Sequence, residues 1–182
     1  IKMKSKLFKN FELRRINKQD LKKLFLLRNQ KKIRKSMINN KKISKKEHLN
    51  WFIKLTKSKF FHVYAFVYKK KIIGSGYASN YQTKGKYCYW GIYRDLKLPR
   101  DKKYGSILLF LLFEKLFSIK KISHLRCQVI KKNAWVKNWY KRWGYKYLYF
   151  DKKNNCHVLK MTKKEWKNKK KYILKNKLSK TL

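Results

Sequence analysis

The chain has 182 residues, enough for one folded domain, and its 43% hydrophobic and 16% aromatic residues exclude a chain that remains disordered. Its 53 lysines and arginines stand against only 8 acidic residues, so the formal net charge is +45 and polyanionic partners are favoured. Cys88, Cys127 and Cys156 are too scattered for a disulfide framework and lack C-x-x-C spacing, so no metal site is expected.

The positive charge has two open explanations. One is a selected nucleic-acid or ribosome partner, and the other is the lysine-biased translation of an AT-rich genome, which also fits the many Asn, Ile, Tyr and Phe residues. The lysines are spread along the whole chain and are not gathered into one arm, which favours the second explanation. Under either explanation anionic small ligands are attracted, and nucleic acids are attracted non-specifically.

No segment predicts a membrane span. The longest apolar run, Ile107–Phe113, is far shorter than the roughly 20 residues that a spanning helix needs. The first residues, Ile1–Lys4, have no apolar signal region. These two features predict a cytoplasmic protein.

The first half of the chain predicts two helices and a set of antiparallel strands. Asp20 is placed to cap a helix that extends to Asn29, and Ser44 with Glu47 forms a capping-box pattern at the start of the next helix. A turn is predicted at Gly85. Runs rich in β-formers predict the strands, which are Phe11–Ile16, Phe60–Tyr68, Ile72–Asn80 and Tyr87–Tyr93.

The second half alternates helices and strands. A helix that is apolar nearly all round, and therefore buried, is predicted at Ser106–Phe117, and Gly144 ends a later helix. The remaining elements are His124–Ile130, Asn133–Trp143, Tyr145–Phe150 and His157–Met161. This order predicts an α/β (α+β) fold in which helices flank a mixed sheet.

The C-terminal segment differs in composition from the rest. From residue 163 onward, 9 of 20 residues are lysine, which predicts a poorly packed helix or a solvated arm. We therefore expect one domain over residues 1–162 and a lysine-rich tail over residues 163–182.

A strand, a glycine-containing turn and a helix follow one another between Tyr89 and Phe117. Backbone N–H groups at such a turn, together with the helix dipole, bind anionic phosphate, and Lys102 and Lys103 add positive charge. Many strand–helix turns carry one glycine without binding phosphate, so Gly105 alone does not establish a site.

A second group of residues strengthens this interpretation. Asn133, Tyr140, Gly144 and Tyr145 follow Gly105 in the order strand, Asn, helix, Tyr and Gly-Tyr. Over roughly residues 11–161 the sequence resembles the GNAT superfamily of N-acetyltransferases. The resemblance implies a mostly antiparallel sheet with a splayed central strand pair, here Tyr87–Tyr93 and His124–Ile130, that holds acetyl-CoA.

The resemblance also implies the residues of the cofactor site. The family's loop pattern is Arg/Gln-x-x-Gly-x-Gly/Ala, with Arg100 at its first position and Gly105 at its last, and Lys103 stands where the first glycine is expected. Lys103 could crowd the pyrophosphate or offer it an ammonium group. The residues expected to bind the cofactor are Arg100, Lys102, Lys103, Tyr104, Gly105, Ser106, Ile107 and Asn133.

Catalytic roles follow from the same resemblance. The amine attacks the thioester directly, and a backbone N–H of Ile92 or Tyr93 polarises its carbonyl. Tyr140 donates a proton to the departing thiolate, as a phenol with a pKa of about 10 can do at pH 7. Asn133 holds the pantetheine arm or the helix start. Taken alone, Tyr140 would be interpreted as a core aromatic.

The N-terminal half carries a narrower resemblance. Arg28, Met37 and His48, with the strand Gly91–Tyr93, resemble N-acetyltransferases of UDP-4-amino-sugars in pseudaminic acid synthesis and the similar ribosomal-protein N-acetyltransferases. By this resemblance Arg28, Met37 and His48 would border a UDP-linked amino sugar, and Tyr93 would face the amino sugar. Alternatives are a solvated charge for Arg28 and a surface position for His48. A protein N-terminal or ribosomal-protein acetyltransferase, or a basic RNA-associated module, remains the alternative function.

Overall fold

The structure is a computed structural model that describes residues 8–82 and 86–178. The strands are β1 (Phe11–Arg15), β2 (His62–Tyr68), β3 (Lys71–Gln82), β4 (Tyr87–Arg94), β5 (His124–Ile130), β6 (Lys146–Asp151) and β7 (Cys156–Thr162). The helices are α1 (Leu21–Arg28), α2 (Lys31–Arg34), α3 (Lys45–Lys57), α4 (Tyr104–Phe117), α5 (Ala134–Arg142) and α6 (Lys163–Ile173). A 3₁₀ turn (Lys18–Asp20) precedes α1, and a π-helical turn (Leu174–Leu178) follows α6.

All seven strands form one sheet in the order β1-β2-β3-β4-β5-β7-β6. Every neighbouring pair is antiparallel except β4 and β5, which are parallel. The predicted α/β fold with a mixed, mostly antiparallel sheet is therefore confirmed. The turn predicted at Gly85 lies outside the described residues.

Helices cover both faces of this sheet. A Cβ atom on Gly76 of β3 would lie 3.1 Å from Leu112, so α4 packs closely on the face to which Gly76 points. The next residue, Tyr77, points to the opposite face because side chains alternate along a strand. That opposite face is where Tyr77 shares a cavity with Arg28 of α1 and His48 of α3.

The buried helix α4 forms the centre of the core. Its residues Leu108, Leu109, Leu112 and Phe113 have no exposed surface, which confirms the helix predicted from its all-round apolar character. Phe113 also contacts Trp90 of β4 at a ring distance of 4.8 Å. Because α4 is anchored so firmly, the position of its first turn relative to β4 is fixed.

The start of α1 differs from the prediction. Asp20 was expected to cap the helix, but Asn17 caps the preceding 3₁₀ turn and Asp20 serves as the third residue of that capping box. The Asp20 carboxylate accepts hydrogen bonds from the Asn17 N–H and from the Arg14 guanidinium at 2.7 Å. A buried carboxylate needs such a partner, which explains its position. By contrast, the predicted capping box of Ser44 and Glu47 is present at the start of α3.

The segment after residue 162 packs against the core, so a poorly packed helix or solvated arm is wrong for its described part. Trp166 and Ile173 of α6 are buried, as is Leu178. Trp166 donates a hydrogen bond from Nε1 to Glu114 of α4 at 2.8 Å. Most lysines of α6 are exposed on the outer side of this amphipathic helix, and their large number obscured its apolar side in the sequence. No helix within the described residues has both the length and the apolar character needed to cross a membrane.

If α6 belongs to the core, Trp166→Ala will lower the free energy of unfolding by about 3–5 kcal/mol, as large core truncations do. Urea unfolding followed by circular dichroism measures the change. Tyr172→Ala, on the exposed side of the same helix, is the control and should change stability by less than about 0.5 kcal/mol. Equally small effects for both variants would contradict the packing described here.

Candidate active site

The parallel strands β4 and β5 separate from each other along their length. They pair only at Tyr87–His124, Cys88–Leu125 and Tyr89–Arg126. Beyond these residues β4 remains paired with β3, and β5 remains paired with β7. A gap therefore opens between the carboxyl-terminal parts of the two strands, as expected for the splayed pair.

The backbone of β4 offers a hydrogen-bond donor to this gap. Asp95 donates its N–H to Ile73 of β3 at 2.8 Å. Successive residues of a strand direct their N–H groups to opposite edges, so the N–H of Tyr93 also faces β3 while that of Ile92 faces the gap. Of the two alternatives left open by the sequence, this geometry favours Ile92 as the donor.

A cavity of about 950 Å³, here called the large cavity, adjoins the gap. Its wall includes every residue predicted to border the acceptor: Arg28, Met37, His48 and Tyr93. These residues come from α1, the segment after α2, α3 and β4, so the fold brings together positions far apart in sequence.

Arg28 is half-buried and only partly satisfied. Its Nη2 donates to the carbonyl of Asn39 at 2.7 Å, whereas its buried Nη1 has no partner among the described residues. Burial lowers the pKa of the Arg28 guanidinium, yet such a group stays charged at neutral pH. A buried donor without an acceptor is costly, so this wall suits a ligand that brings acceptor atoms.

His48 is buried, not at the surface as the alternative had it. Its ring stacks on Trp51 at 5.0 Å and meets the edge of Phe25 at 5.7 Å. Burial, and then the positive charge of Arg28, lower the pKa of His48, so the imidazole is neutral at pH 7.

Three tyrosines of the sheet, Tyr77, Tyr89 and Tyr93, line the large cavity. Burial raises the pKa of Tyr93 to about 12 and also raises that of Tyr77, so the phenols of Tyr77 and Tyr93 are protonated hydrogen-bond donors. The ring of Tyr77 lies across Gly91, where a Cβ atom would come within 2.5 Å of it. Gly91 therefore allows Tyr77 to cover β4 beside the gap.

A second cavity of about 680 Å³, here called the small cavity, lies at the start of α4. Five of the predicted cofactor residues line it: Arg100, Lys103, Tyr104, Gly105 and Ser106. The N–H groups of Ser106 and Ile107 donate to the carbonyl of Lys103, while those of Tyr104 and Gly105 have no acceptor in the described part of the chain. Two unpaired donors at a helix N-terminus suit an anion.

Lys103 occupies the position at which the resembled pattern has glycine. Its backbone has φ 49° and ψ 27°, the left-handed region that glycine adopts without cost. A lysine there costs about 1 kcal/mol or more, and such strain is often found at functional sites. The Lys103 backbone thus adopts a conformation typical of glycine, while its cationic side chain lines the small cavity.

The other predicted cofactor residues are placed differently. Lys102 lines neither cavity and forms a 3.8 Å ion pair with Asp101 on the surface. Ile107 is buried in the core, and its N–H is already bonded to Lys103. Asn133 lines the large cavity, and its side chain makes no capping hydrogen bond to α5, so its amide is available to a ligand.

Tyr140 lies where the two cavities meet, because it lines both together with Ile92 and Tyr93. Its ring contacts Trp90 at 5.1 Å, and burial raises the pKa of its phenol well above the usual value. The phenol of Tyr140 is therefore protonated at neutral pH.

Several lining residues were not found by the sequence reasoning. Arg94 and the pair Trp135 and Trp139 line the small cavity, and Cys127 lines the large one. The spacing of the two tryptophans by four residues places them on one side of α5, which was a usable signal. No cluster of three His, Cys, Asp or Glu side chains suited to a metal ion occurs among the described residues.

Comparison with protein families agrees with this geometry. A family model described as an acetyltransferase (GNAT) domain matches residues 13–158, which is most of the chain. No curated protein gives a significant sequence match.

Solved structures with the same fold have low sequence identity to this chain. The N-acetyltransferase PseH of Campylobacter jejuni is 22% identical, with a TM-score of 0.65 over 85% of this chain and 99% of that one. Aminoglycoside acetyltransferase AAC(6')-Ib, solved with coenzyme A, is 13% identical with a TM-score of 0.75, over 88% and 99%. Spermidine N-acetyltransferase from Vibrio cholerae, solved with CoA and spermine, is 15% identical with a TM-score of 0.75, over 88% and 99%.

The proximity of Arg28 and His48 can be tested by NMR titration. A positive charge disfavours the protonated imidazole, so Arg28→Gln will raise the titration midpoint of His48. The midpoint will remain below about 6.5, because burial, the larger cause, persists. Arg34→Gln, a change on α2 outside both cavities, should leave it unchanged, and His124, with a pKa of about 4, serves as a reference in the same spectra. A His48 titration midpoint that is unchanged in the Arg28→Gln variant would contradict the proximity of the two side chains.

Proposed function

The chain belongs to the GNAT acetyltransferase family, and on that premise we propose that it transfers an acetyl group from acetyl-CoA to the 4-amino group of a UDP-linked amino sugar. The observation that carries the choice of acceptor is the unpartnered Nη1 of Arg28 in the wall of the large cavity. The two cavities meet at Tyr140, so the donor would enter from one side and the acceptor from the other.

The residues of the small cavity fit a diphosphate. The unpaired N–H groups of Tyr104 and Gly105 offer two donors, and Arg94, Arg100 and Lys103 add positive charge around them. When bound, acetyl-CoA supplies the thioester that the amine attacks. The free amide of Asn133 is suited to hydrogen-bond the peptide-like pantetheine arm in the gap between β4 and β5.

Two groups of the chain would assist the transfer. As the amine nitrogen bonds to the acetyl carbon, negative charge develops on the carbonyl oxygen, and the Ile92 N–H that faces the gap can stabilise it. As the carbon–sulfur bond breaks, the phenol of Tyr140 can donate its proton to the sulfur, and the proton that the amine nitrogen releases, carried by water, restores the phenol. Burial supports this role, because it keeps Tyr140 protonated.

An anionic acceptor fits the large cavity better than a cationic one. All eight acidic residues of the chain lie within the described ranges, and of these only Glu47 lines either cavity. Its carboxylate already accepts the Ser44 N–H at 2.6 Å. Aminoglycosides and spermine, the acceptor classes named for two of the similar structures, are polycations. Such a molecule would meet the Arg28 guanidinium here, whereas a nucleotide sugar brings phosphate oxygens that pair with it.

The role of Tyr140 predicts a selective loss of rate. Tyr140→Phe keeps the ring and removes only the hydroxyl group, so kcat should fall about 10²–10⁴-fold while acetyl-CoA affinity changes little. Steady-state kinetics and calorimetry of the same preparation measure both. A variant with the parental kcat would mean that water or another group protonates the thiolate.

The role of Arg28 predicts a selective loss of acceptor binding. Arg28→Ala should raise KM for the UDP-amino-sugar about 10–150-fold, the usual range for a hydrogen bond to a charged group, and leave KM for acetyl-CoA nearly unchanged. Arg34→Ala is the matched control. Arg34 also donates to backbone carbonyls of Asn29 and Asn40, but it does not line the cavity.

The Arg34 control distinguishes two roles of Arg28: binding the phosphates of the acceptor, and holding the backbone of the segment after α1 by hydrogen bonds. Equal losses in the Arg28 and Arg34 variants would assign Arg28 to structure alone. If the protein acetylates protein N-termini and not UDP-amino-sugars, the proposed acceptor is wrong, while the assignment as an acetyltransferase still holds. Acetylation of spermidine or kanamycin in preference to the nucleotide sugar would also contradict the charge argument.

A further inference from the structure

The outer face of α6 carries a row of lysines. Lys164, Lys167 and Lys171 are all exposed, and their spacing of three and four residues places them on one side of the helix. At 1.5 Å per residue the row is about 10 Å long. We call these three residues the lysine row.

The opposite side of α6 holds this row in a fixed position. Trp166 and Ile173 are 1% and 0% exposed, so the helix is anchored through its apolar face. The carboxylates nearest to the helix already have partners. Glu165 pairs with Lys146 at 2.8 Å, and Glu114 pairs with Lys170 at 3.2 Å.

The position and charge of the lysine row distinguish among three kinds of partner: a membrane, a second copy of the chain and a nucleic acid. An amphipathic helix binds a membrane by inserting its apolar face, and here that face is committed to the core. A second copy of the chain carries the same charge of +45 and is repelled. A nucleic-acid strand offers phosphates at short, regular intervals along a line. Tyr172 follows Lys171 directly in the chain, so it points about 100° around the helix from that lysine. Its ring is 53% exposed, and the Lys169 ammonium lies 5.4 Å from the ring centre.

We propose that the lysine row and Tyr172 form a docking surface for single-stranded nucleic acid. The three ammonium groups contact phosphates, and the tyrosine ring stacks on an unpaired base, the combination that sequence-tolerant single-strand binding uses. No residue of α6 lines either cavity, so this surface is separate from the acetyltransferase site.

The test compares two triple variants that remove equal charge. One replaces the row (Lys164→Gln, Lys167→Gln and Lys171→Gln), and the control replaces three exposed lysines of α3 (Lys46→Gln, Lys54→Gln and Lys57→Gln). Both sets lie on exposed helical positions outside the cavities. Binding of a 20-nucleotide oligouridylate is followed by fluorescence anisotropy over a range of salt concentrations. The slope of log K against log salt is negative, and each lost phosphate contact reduces its magnitude by about 0.7 for single strands. The magnitude should therefore fall by about 2 in the row variant and hardly change in the control.

Further arms identify the partner. A duplex DNA of equal length and vesicles of phosphatidylglycerol and phosphatidylcholine are titrated with the same variants, and Tyr172→Ala should weaken oligouridylate binding about 5–150-fold. Equal slopes for the two triple variants would overturn the proposal, because only overall charge would then matter. A row-specific loss seen with vesicles or duplex DNA, and not with oligouridylate, would overturn it as well. Acetylation kinetics should be the same in both triple variants and the parent, which keeps this test independent of the proposed function.

Discussion

β4 and β5 pair through only three residues and then separate, while each keeps its outer neighbour in the sheet. Strand separation leaves the backbone of β4 without its partner on one edge, so the Ile92 N–H faces an open gap. The gap also allows Tyr140 of α5 to reach the junction of the two cavities. The buried helix α4 positions the small cavity, since its first turn lines that cavity together with Ile92 of β4 and Tyr140. The proposed donor site, acceptor site and proton donor thus all depend on one irregularity in the sheet.

Electrostatics then distinguishes the two sides of this gap. The small cavity is lined by four cations, Lys32, Arg94, Arg100 and Lys103, whereas the large cavity is lined by one, Arg28. Among the lining residues the single carboxylate, that of Glu47, already accepts a hydrogen bond in a helix cap. The net charge of +45 attracts any anion over long range and cannot select a substrate. Selection must come from short-range features, which here are the half-buried Arg28 with its unpartnered nitrogen and the neutral, buried His48. A charged donor removed from water discriminates more strongly than a solvated lysine.

Much of this arrangement could be predicted from the sequence, because periodicity and turn residues act locally. The predicted strands and the buried helix agree with the structure to within a few residues, and Arg28, Met37, His48 and Tyr93 do share one cavity. What failed depends on tertiary contacts. Asp20 was predicted to cap a helix, but its carboxylate pairs with Arg14 instead. The many lysines after residue 162 suggested a solvated segment, although Trp166 within it is buried. Arg94 was missed since its entry into the small cavity depends on how β4 leaves the sheet, and the choice between Ile92 and Tyr93 required the hydrogen-bond register.

We propose that the first turn of α4, which lines the small cavity, binds the pyrophosphate of acetyl-CoA. Calorimetry of acetyl-CoA binding to the parent, Gly105→Pro and Gly105→Ala tests it most directly. Proline removes the unpaired N–H of Gly105 in a first helical turn, where it is tolerated. Alanine keeps that N–H, and its Cβ would lie an ordinary 3.7 Å from Arg94. We expect the proline variant to bind about 10–150-fold more weakly and the alanine variant to bind like the parent. Parental affinity in the proline variant, with an intact fold by circular dichroism, would place the pyrophosphate elsewhere and contradict the account.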